Sequence, residues 1–427
     1  MEEWKKYKLS EVAYLSTGFP FDGSKYSKTG IRVVRGDNVT IGALRWDADK
    51  LKCWKESFSR ANEYSLQDGD IVIGMDGSRV GRNRAQISTS DLPLLLAQRV
   101  ACVRHNDKTV QDFLYYLIFD DRFVEYVKLV QTGTSIPHIS LKQIGDFEVY
   151  VPSLSTQKRI CEILKSLDNK ITLNNRINHN LEEQAQALYK SWFVDFEPFK
   201  EGKFVDTELG LIPEGWHIGT ISELISDTYN GDWGKEESTG AFTKRVFCIR
   251  GADIPSIRVG NSGKMPTRFI QEKHFLSKYL KNDDLVIEIS GGSPTQSTGR
   301  FCRITDDLID RYDHSLICTN FCKAIRPAEG CSLFLSYLWN DLYEKGTMFS
   351  YENGTTGIKN LDLSGVIKSE PIIIPDNHSM QLFSIAVSAL NKQILFNGHE
   401  NEKLGEQRDL MLPKLMSGEM LSNNNVC

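Results

Sequence analysis

Apolar residues recur through residues 155–193 at alternating spacings of four and three. The series is Ile160, Leu164, Leu167, Ile171, Asn174, Asn178, Leu181, Ala185, Leu188 and Trp192. This is the a/d seam of a coiled coil, narrower than the stripe of an ordinary surface helix. Two neighbouring seam positions are asparagine. Shifted by 223 residues, the series returns as Phe383, Val387, Leu390, Ile394, Asn397, Asn401, Leu404, Arg408, Met411 and Leu415, with both asparagines in place. The spacing predicts two long helices, the first a rod of roughly 58 Å.

The repetition extends well beyond the helices. Trp4 and Leu9-Ser10-Glu11-Val12 are echoed by Trp216 and Ile221-Ser222-Glu223-Leu224. A strand ending in Arg35-Gly36 has a counterpart ending in Arg250-Gly251. The polar turn and β-rich run at Asp68–Ile73 answer those at Asn282–Ile287. Phe113–Leu117 matches Phe334–Leu338, an aromatic helix in both copies, and Val151-Pro152 matches Ile374-Pro375. The offset grows from 212 at the first tryptophan to 223 at the last proline. A period that long is domain duplication rather than a solenoid.

The predicted fold is α+β: two globular domains related by a pseudo-two-fold duplication and joined by two long helices in an antiparallel coiled coil. The boundaries are 1–152 and 213–375 for the domains and 153–197 and 376–418 for the helices. Residues 198–212 form a turn-rich linker, broken by Pro198, Gly202 and Gly210, and 419–427 a frayed tail. Antiparallel pairing sets Asn174 against Asn401 and Asn178 against Asn397, with Ile160 opposite Leu415 and Trp192 opposite Phe383. Parallel pairing also matches asparagine with asparagine; a fused duplication favours the antiparallel form. Polar seam residues cost stability and specify register.

Composition describes a globular protein: 427 residues, 40% hydrophobic, 25% charged, net charge −5. The acidic balance argues against a surface coated in positive charge, yet basic loops can still supply phosphate contacts. No apolar run reaches the length of a membrane span and the N-terminus lacks a signal-peptide core, so a cytoplasmic protein is expected. The nine scattered cysteines read as reduced thiols. Placed on one strand, Cys318 and Cys322 would lie about 13 Å apart, too far to share a zinc with His314.

No phosphate loop, dinucleotide fingerprint or adenine-methyltransferase motif is present. Asp283, Asp284 and Glu288 approach a nuclease cluster, but Ser290 stands where a lysine is wanted. The polar loops carry more. Gly77–Arg84 offers Ser78, Arg79, Arg82, Asn83 and Arg84; its counterpart offers Ser293, Thr295, Gln296, Thr298 and Arg300. Arg, Asn and Gln read base edges with paired hydrogen bonds, while hydroxyls and backbone amides hold phosphates. The turns at Gly133–His138 (Thr134, Ser135, His138) and Gly354–Lys359 (Thr355, Thr356, Lys359) add candidate backbone contacts. Arg35, Lys244, Arg245 and Arg250 add candidate phosphate contacts. No metal or catalytic residue is assigned.

The stretch Gly133-Thr134-Ser135-Ile136-Pro137-His138-Ile139-Ser140, with Ile144, Val151-Pro152 and Gln157 before a coiled coil, resembles the specificity subunit of type I restriction-modification enzymes. The resemblance covers essentially the whole chain. The second copy departs: Gly357 is inserted, Lys359 replaces the proline, and Gln381 lies one residue further from Pro375 than Gln157 does from Pro152. The resemblance implies a non-catalytic reader of double-stranded DNA. Each globular part would be a target recognition domain for one half of a bipartite asymmetric site. The coiled coil would act as ruler between the halves and dock two modification subunits that methylate adenine at N6, with two restriction subunits joining them in a cleaving assembly. No cofactor is expected on this chain; S-adenosylmethionine, ATP and Mg are expected on the partner subunits. Two alternatives stay open: a nuclease or fused restriction enzyme with an unfamiliar catalytic site, and a structural coiled-coil adaptor.

Overall fold

Both seams are helices of forty residues, Leu154–Phe193 and Asn377–Met416. The computed structural model describes residues 4–56, 60–133, 135–293, 296–354 and 359–419. The helices run antiparallel in the expected register. Asn397 Nδ2 donates to Asn178 Oδ1 at 2.8 Å, and Asn174 Nδ2 to Asn401 Oδ1 at 2.9 Å. The Trp192 and Phe383 rings lie 6.0 Å apart, and Ile160 and Leu415 share one apolar cluster. The Asn178–Asn397 layer has further partners: Asn178 Nδ2 donates to Ile394 O, and Gln393 Nε2 to Asn397 Oδ1. Arg408, a charge in the seam, donates to Asp168 at 2.9 Å, and Asp168 also accepts from the Tyr116 hydroxyl at 2.8 Å.

Towards its C-terminus the first helix departs from the 4-3 spacing. Ala185, Tyr189 and Phe193 are the buried positions there, with Leu188 and Trp192 flanking them. The reason is a change of partner, from another helix to the core of a domain, which needs a wider stripe.

The chain divides into two compact units, Met1–Asp168 with Gly405–Cys427, and Asn169–Leu404. Each unit's core takes the start of one long helix and the end of the other. In the first, Ile160, Cys161, Leu164, Leu415 and Met416 pack with Phe113, Leu117 and Phe123. In the second, Ala185, Tyr189, Phe193, Met380, Phe383 and Val387 pack with Trp216, Phe334 and Trp339.

Sheet topology repeats element by element. A four-stranded sheet is ordered Ala13–Thr17, Val100–His105, Ile71–Gly74, Arg84–Gln86 in the first domain. In the second it is Ile225–Asn230, Cys322–Pro327, Leu285–Glu288, Phe301–Arg303. Ile71–Gly74 and Leu285–Glu288 are wholly buried, and Ile71–Ile73 and Leu285–Ile287 are accordingly continuous apolar runs rather than alternating ones. A three-stranded sheet follows in each, with Ile31–Val34 parallel to Leu94–Leu96 and Phe242–Ile249 parallel to Leu316–Cys318. Each domain is closed by its first strand pairing with the strand that feeds the long helix: Lys5–Lys8 with Glu148–Val151, and His217–Gly219 with Ile372–Ile374.

The duplicated turn before the central strand has a shared purpose. Asp70 is buried, accepts from Gln67 N and forms a two-pronged pair with Arg104 at 2.7 and 2.6 Å. Asp284 does the same with Lys281 N and Arg326, at 2.9 Å for both prongs. Gln157 anchors the first helix: its buried amide donates to Lys108 O and Pro152 O and accepts from Val110 N. In the second copy Gln381 is exposed and Met380 takes the buried place.

The turn-rich linker holds a hairpin, Phe204–Thr207 with Gly210–Pro213. One expectation is corrected. Cys318 and Cys322 lie on successive strands joined by a turn, so the Cys318 thiol approaches Cys322 O at 3.8 Å rather than lying about 13 Å away. They remain thiols: burial pushes both up, Cys322 to about 12. Among the described residues no cluster of three or more metal-ligating side chains occurs. Of the predicted tail, 420–427 lie outside the described residues.

Candidate nucleic-acid interface

In the first domain the polar loops converge. Gly77 N donates to Pro137 O at 2.9 Å and Ile139 N to Met75 O at 2.9 Å, stitching the 77–83 loop to the 133–138 turn. These loops and the segment after Ile31–Val34 enclose a cleft of about 730 Å³. Of the predicted contacts, Arg35, Ser78, Arg79 and Asn83 line it. Arg82 is exposed but does not line it, and Ser135 is exposed beside the lining residue Ile136. His138 Nδ1 hydrogen-bonds Asp76 Oδ1, which places the imidazole at the rim. Thr134 lies outside the described residues.

Among the cleft residues that sequence reasoning missed are Arg45, Gln98 and Arg99. Arg99 Nη1 donates to both oxygens of Asp76, at 3.2 and 3.0 Å. Four arginines therefore face one cleft that holds two carboxylates, Asp37 and Asp76. That is local positive charge on an acidic chain, the arrangement a polyanion needs.

Arg84 is a correction. Its guanidinium is buried, donates to Gly81 O at 3.1 Å and Phe119 O at 3.0 Å, and lies over the Phe119 and Phe123 rings. Burial lowers its pKa. It supports the loop from beneath and cannot reach a duplex.

The second domain distributes its predicted residues differently. Lys244 and Arg245 lie near the start of strand Phe242–Ile249, whereas Arg250 follows its end, so the structure does not bring them together. Arg245 hydrogen-bonds His314 at 2.8 Å, and Lys244 lies 4.3 Å over the Phe275 ring. Arg250 is held by the buried Asp253 at 2.9 and 3.0 Å, and Arg300 by the buried Glu288 at 2.7 and 2.6 Å. Thr298 is a further correction: it is wholly buried and donates its amide and hydroxyl to Glu352. Lys359 donates to the same carboxylate at 2.7 Å. Burial raises the Glu352 pKa, but these donors hold it below the usual carboxylate value. Lys359 belongs to a small sheet, Ser290–Gly291 with Lys359–Leu361 and Glu352–Asn353, rather than to a free turn. Gln296 is exposed beside Ser293, whose hydroxyl accepts from Gln296 N at 3.0 Å. Thr295, Thr355 and Thr356 lie outside the described residues.

Residues 1–183 match the family model described as "Type I restriction modification DNA specificity domain". The chain is 25% identical over 476 residues to the type I restriction enzyme HindI specificity subunit of Haemophilus influenzae, covering 98% of this chain and all of that one. It is 26% identical over 383 residues to the MjaIX specificity subunit of Methanocaldococcus jannaschii, covering 84% and 81%. Its fold is similar to the crystal structure of a type I restriction-modification S subunit from M. genitalium, with TM-score 0.54, 16% identity and 97% and 96% of the two chains covered.

Proposed function

We infer that this chain, a member of the family of type I restriction-modification specificity subunits, reads DNA sequence and is itself non-catalytic. Each globular domain contacts one half of a bipartite asymmetric site, and the paired helices set the gap between the halves. Two modification subunits dock on the chain and bring S-adenosylmethionine for N6 methylation of adenine. Where restriction subunits join, they bring ATP and Mg for cleavage of unmethylated DNA.

One observation carries this reading: a single fold occurs twice, each copy feeding a long helix, with different side chains on its polar loops. Two similar scaffolds with different loop chemistry suit a site whose halves differ in sequence. The arginine-rich cleft of the first domain supplies both kinds of contact such a reader needs, phosphate neutralisation and base-edge hydrogen bonds. No described helix is long and apolar enough to cross a membrane.

The test is to map N6-methyladenine in cells expressing the chain with its neighbouring modification gene. A split motif with a constant gap is expected. An unsplit motif, or no methylation dependent on this chain, refutes the reading.

A further inference from the structure

The turn after strand Leu94–Leu96 is built where glycine would be at ease. The chain reverses at Gln98-Arg99 to enter Val100–His105, and Arg99 has φ of +65°. Such a position in a tight turn favours Gly or Asn, because a Cβ is strained there. The turn is pinned on both sides: Gln98 N donates to Phe19 O at 2.9 Å and Met75 N to Arg99 O at 3.1 Å. The Arg99 side chain contributes little to the fold, being 66% exposed, and it faces the cleft with Asp76 gripping one end. A strained backbone that presents a long exposed side chain points to a use for that side chain.

The second domain has a turn at the same topological place, without the positive φ of Arg99. Asn320-Phe321 joins Leu316–Cys318 to Cys322–Pro327, and Ile289 N donates to Phe321 O at 2.9 Å as Met75 N does to Arg99 O. Burial runs in step: four buried residues, two exposed, then a buried one, in both copies. Phe321 is 56% exposed and belongs to none of the apolar clusters of the described residues. A lone exposed aromatic is ordinary. One standing at the topological place of Arg99 is not. Each turn thus begins with a side-chain amide and then presents a different reader, an arginine in one copy and a phenylalanine in the other.

We propose that these two turns are the base-reading elements of the domains, with Arg99 reading a guanine in one half-site and Phe321 packing on a thymine methyl in the other. The fork of Arg99 suits the O6 and N7 acceptors of guanine, the commonest specific contact in a major groove, and an apolar ring suits the thymine methyl. Asp76 is the positioning residue: it accepts from Arg99 Nη1 and leaves the other guanidinium nitrogens for a base. The difference between the turns makes the two half-sites differ. This proposal rests on the DNA-reading function above.

The experiment uses the chain assembled with its modification subunits and labelled duplexes carrying the mapped motif, each single base-pair variant of it, and an unrelated sequence. Arg99→Gly, which suits the backbone, is expected to lower discrimination at one G·C pair in one half-site by about tenfold to a hundredfold. Arg99→Lys keeps the charge but loses the fork, and should do the same while binding the unrelated duplex as before. Asp76→Ala should weaken discrimination at that same pair and nowhere else. Phe321→Ala should cost about fourfold at a T·A pair in the other half-site. The proposal is overturned if Arg99→Gly leaves discrimination intact or lowers affinity for every duplex alike, as a phosphate contact would. It is also overturned if both turns affect one half-site, or if the half-site read by the first domain holds no G·C pair. A native complex that discriminates between no duplexes instead refutes DNA reading itself.

Discussion

Removing one amide of the central asparagine layer should cost more than removing both. Asn178 and Asn397 are 6% and 3% exposed and bonded to each other at 2.8 Å. Asn178→Leu leaves the Asn397 Nδ2 donor buried without an acceptor, a penalty of about 1–3 kcal/mol. Asn178→Leu with Asn397→Leu removes both polar partners and places two leucines in an apolar seam, which is close to neutral or stabilising. Gln393, which also donates to Asn397, is exposed and turns to water. The singles and the double should therefore show a coupling of about 1–3 kcal/mol, well above the roughly 0.3–0.5 kcal/mol scatter of independent sites. Amide hydrogen exchange around residues 178 and 397 in the full chain is the suitable assay, because it reports local opening without assuming that a two-unit protein unfolds in one step. A double variant as destabilised as the sum of its singles would refute the pairing. Asn174→Cys with Asn401→Cys should crosslink on oxidation, whereas a parallel coil would instead crosslink 174 with 397.

Gly398→Ala should destabilise the second unit although alanine is the better helix former by about 1 kcal/mol: its Cβ would lie 1.8 Å from Val259 O, and thermal melting of the chain would read the loss. Arg326→Ala should cost about 3 kcal/mol or more by leaving the buried Asp284 carboxylate without its cation, and Asp284→Asn in the same chain should recover part of it in urea unfolding. Asp376 caps the second helix; burial raises its pKa, but donation from Ser379 and Trp216 holds it below the ordinary value. Its stabilisation should persist above the unfolded pKa near 4 and fade as pH falls further, a loss that Asp376→Asn would remove from a pH series of melts. One heptad inserted into each long helix adds about 10.5 Å of rod and should lengthen the gap in the methylated motif by about three base pairs, both half-sites unchanged; an unaltered gap would end the ruler reading.

The long helices, their register and the duplication were legible because each rests on a local period that occurs twice. Asn174 and Asn178 are informative only beside Asn397 and Asn401, where coincidence becomes implausible. The duplicated Asp70 and Asp284 turns were found by the same route, although nothing in the sequence revealed that each anchors a buried ion pair. The loop residues were less legible, since a side chain's sequence neighbours do not say which way it points. Arg84 stands in a polar run, yet a strand begins there and turns it onto Phe119 and Phe123. Thr298 and Lys359 are drawn onto Glu352, fifty-four and seven residues away, which no spacing rule anticipates. Arg99 carries no sequence signal at all: Gln-Arg is an unremarkable pair until the backbone places it at positive φ.

Framework and readers also differ in how the two copies diverge. The two-pronged pairs of Asp70 with Arg104 and Asp284 with Arg326 hold equivalent strands with equivalent atoms, and the closing strand pairs and sheet orders agree. Divergence concentrates at the loop tips. Phe321 stands where the first copy has Arg99, and the counterpart of the 77–83 loop belongs to a region with an additional small sheet around Glu352. Four arginines line the first cleft, with Arg99 held by Asp76, whereas in the second domain Arg250, Arg300 and Lys359 are each held by a carboxylate. The second domain should therefore draw less of its affinity from phosphates and more from shape and apolar contact. Its contribution to binding should fall less steeply with salt than that of the first domain. Titrating the Arg79→Ala and Phe321→Ala complexes against salt separates the two: the first should flatten the slope by about one phosphate's worth, and the second should leave it unchanged.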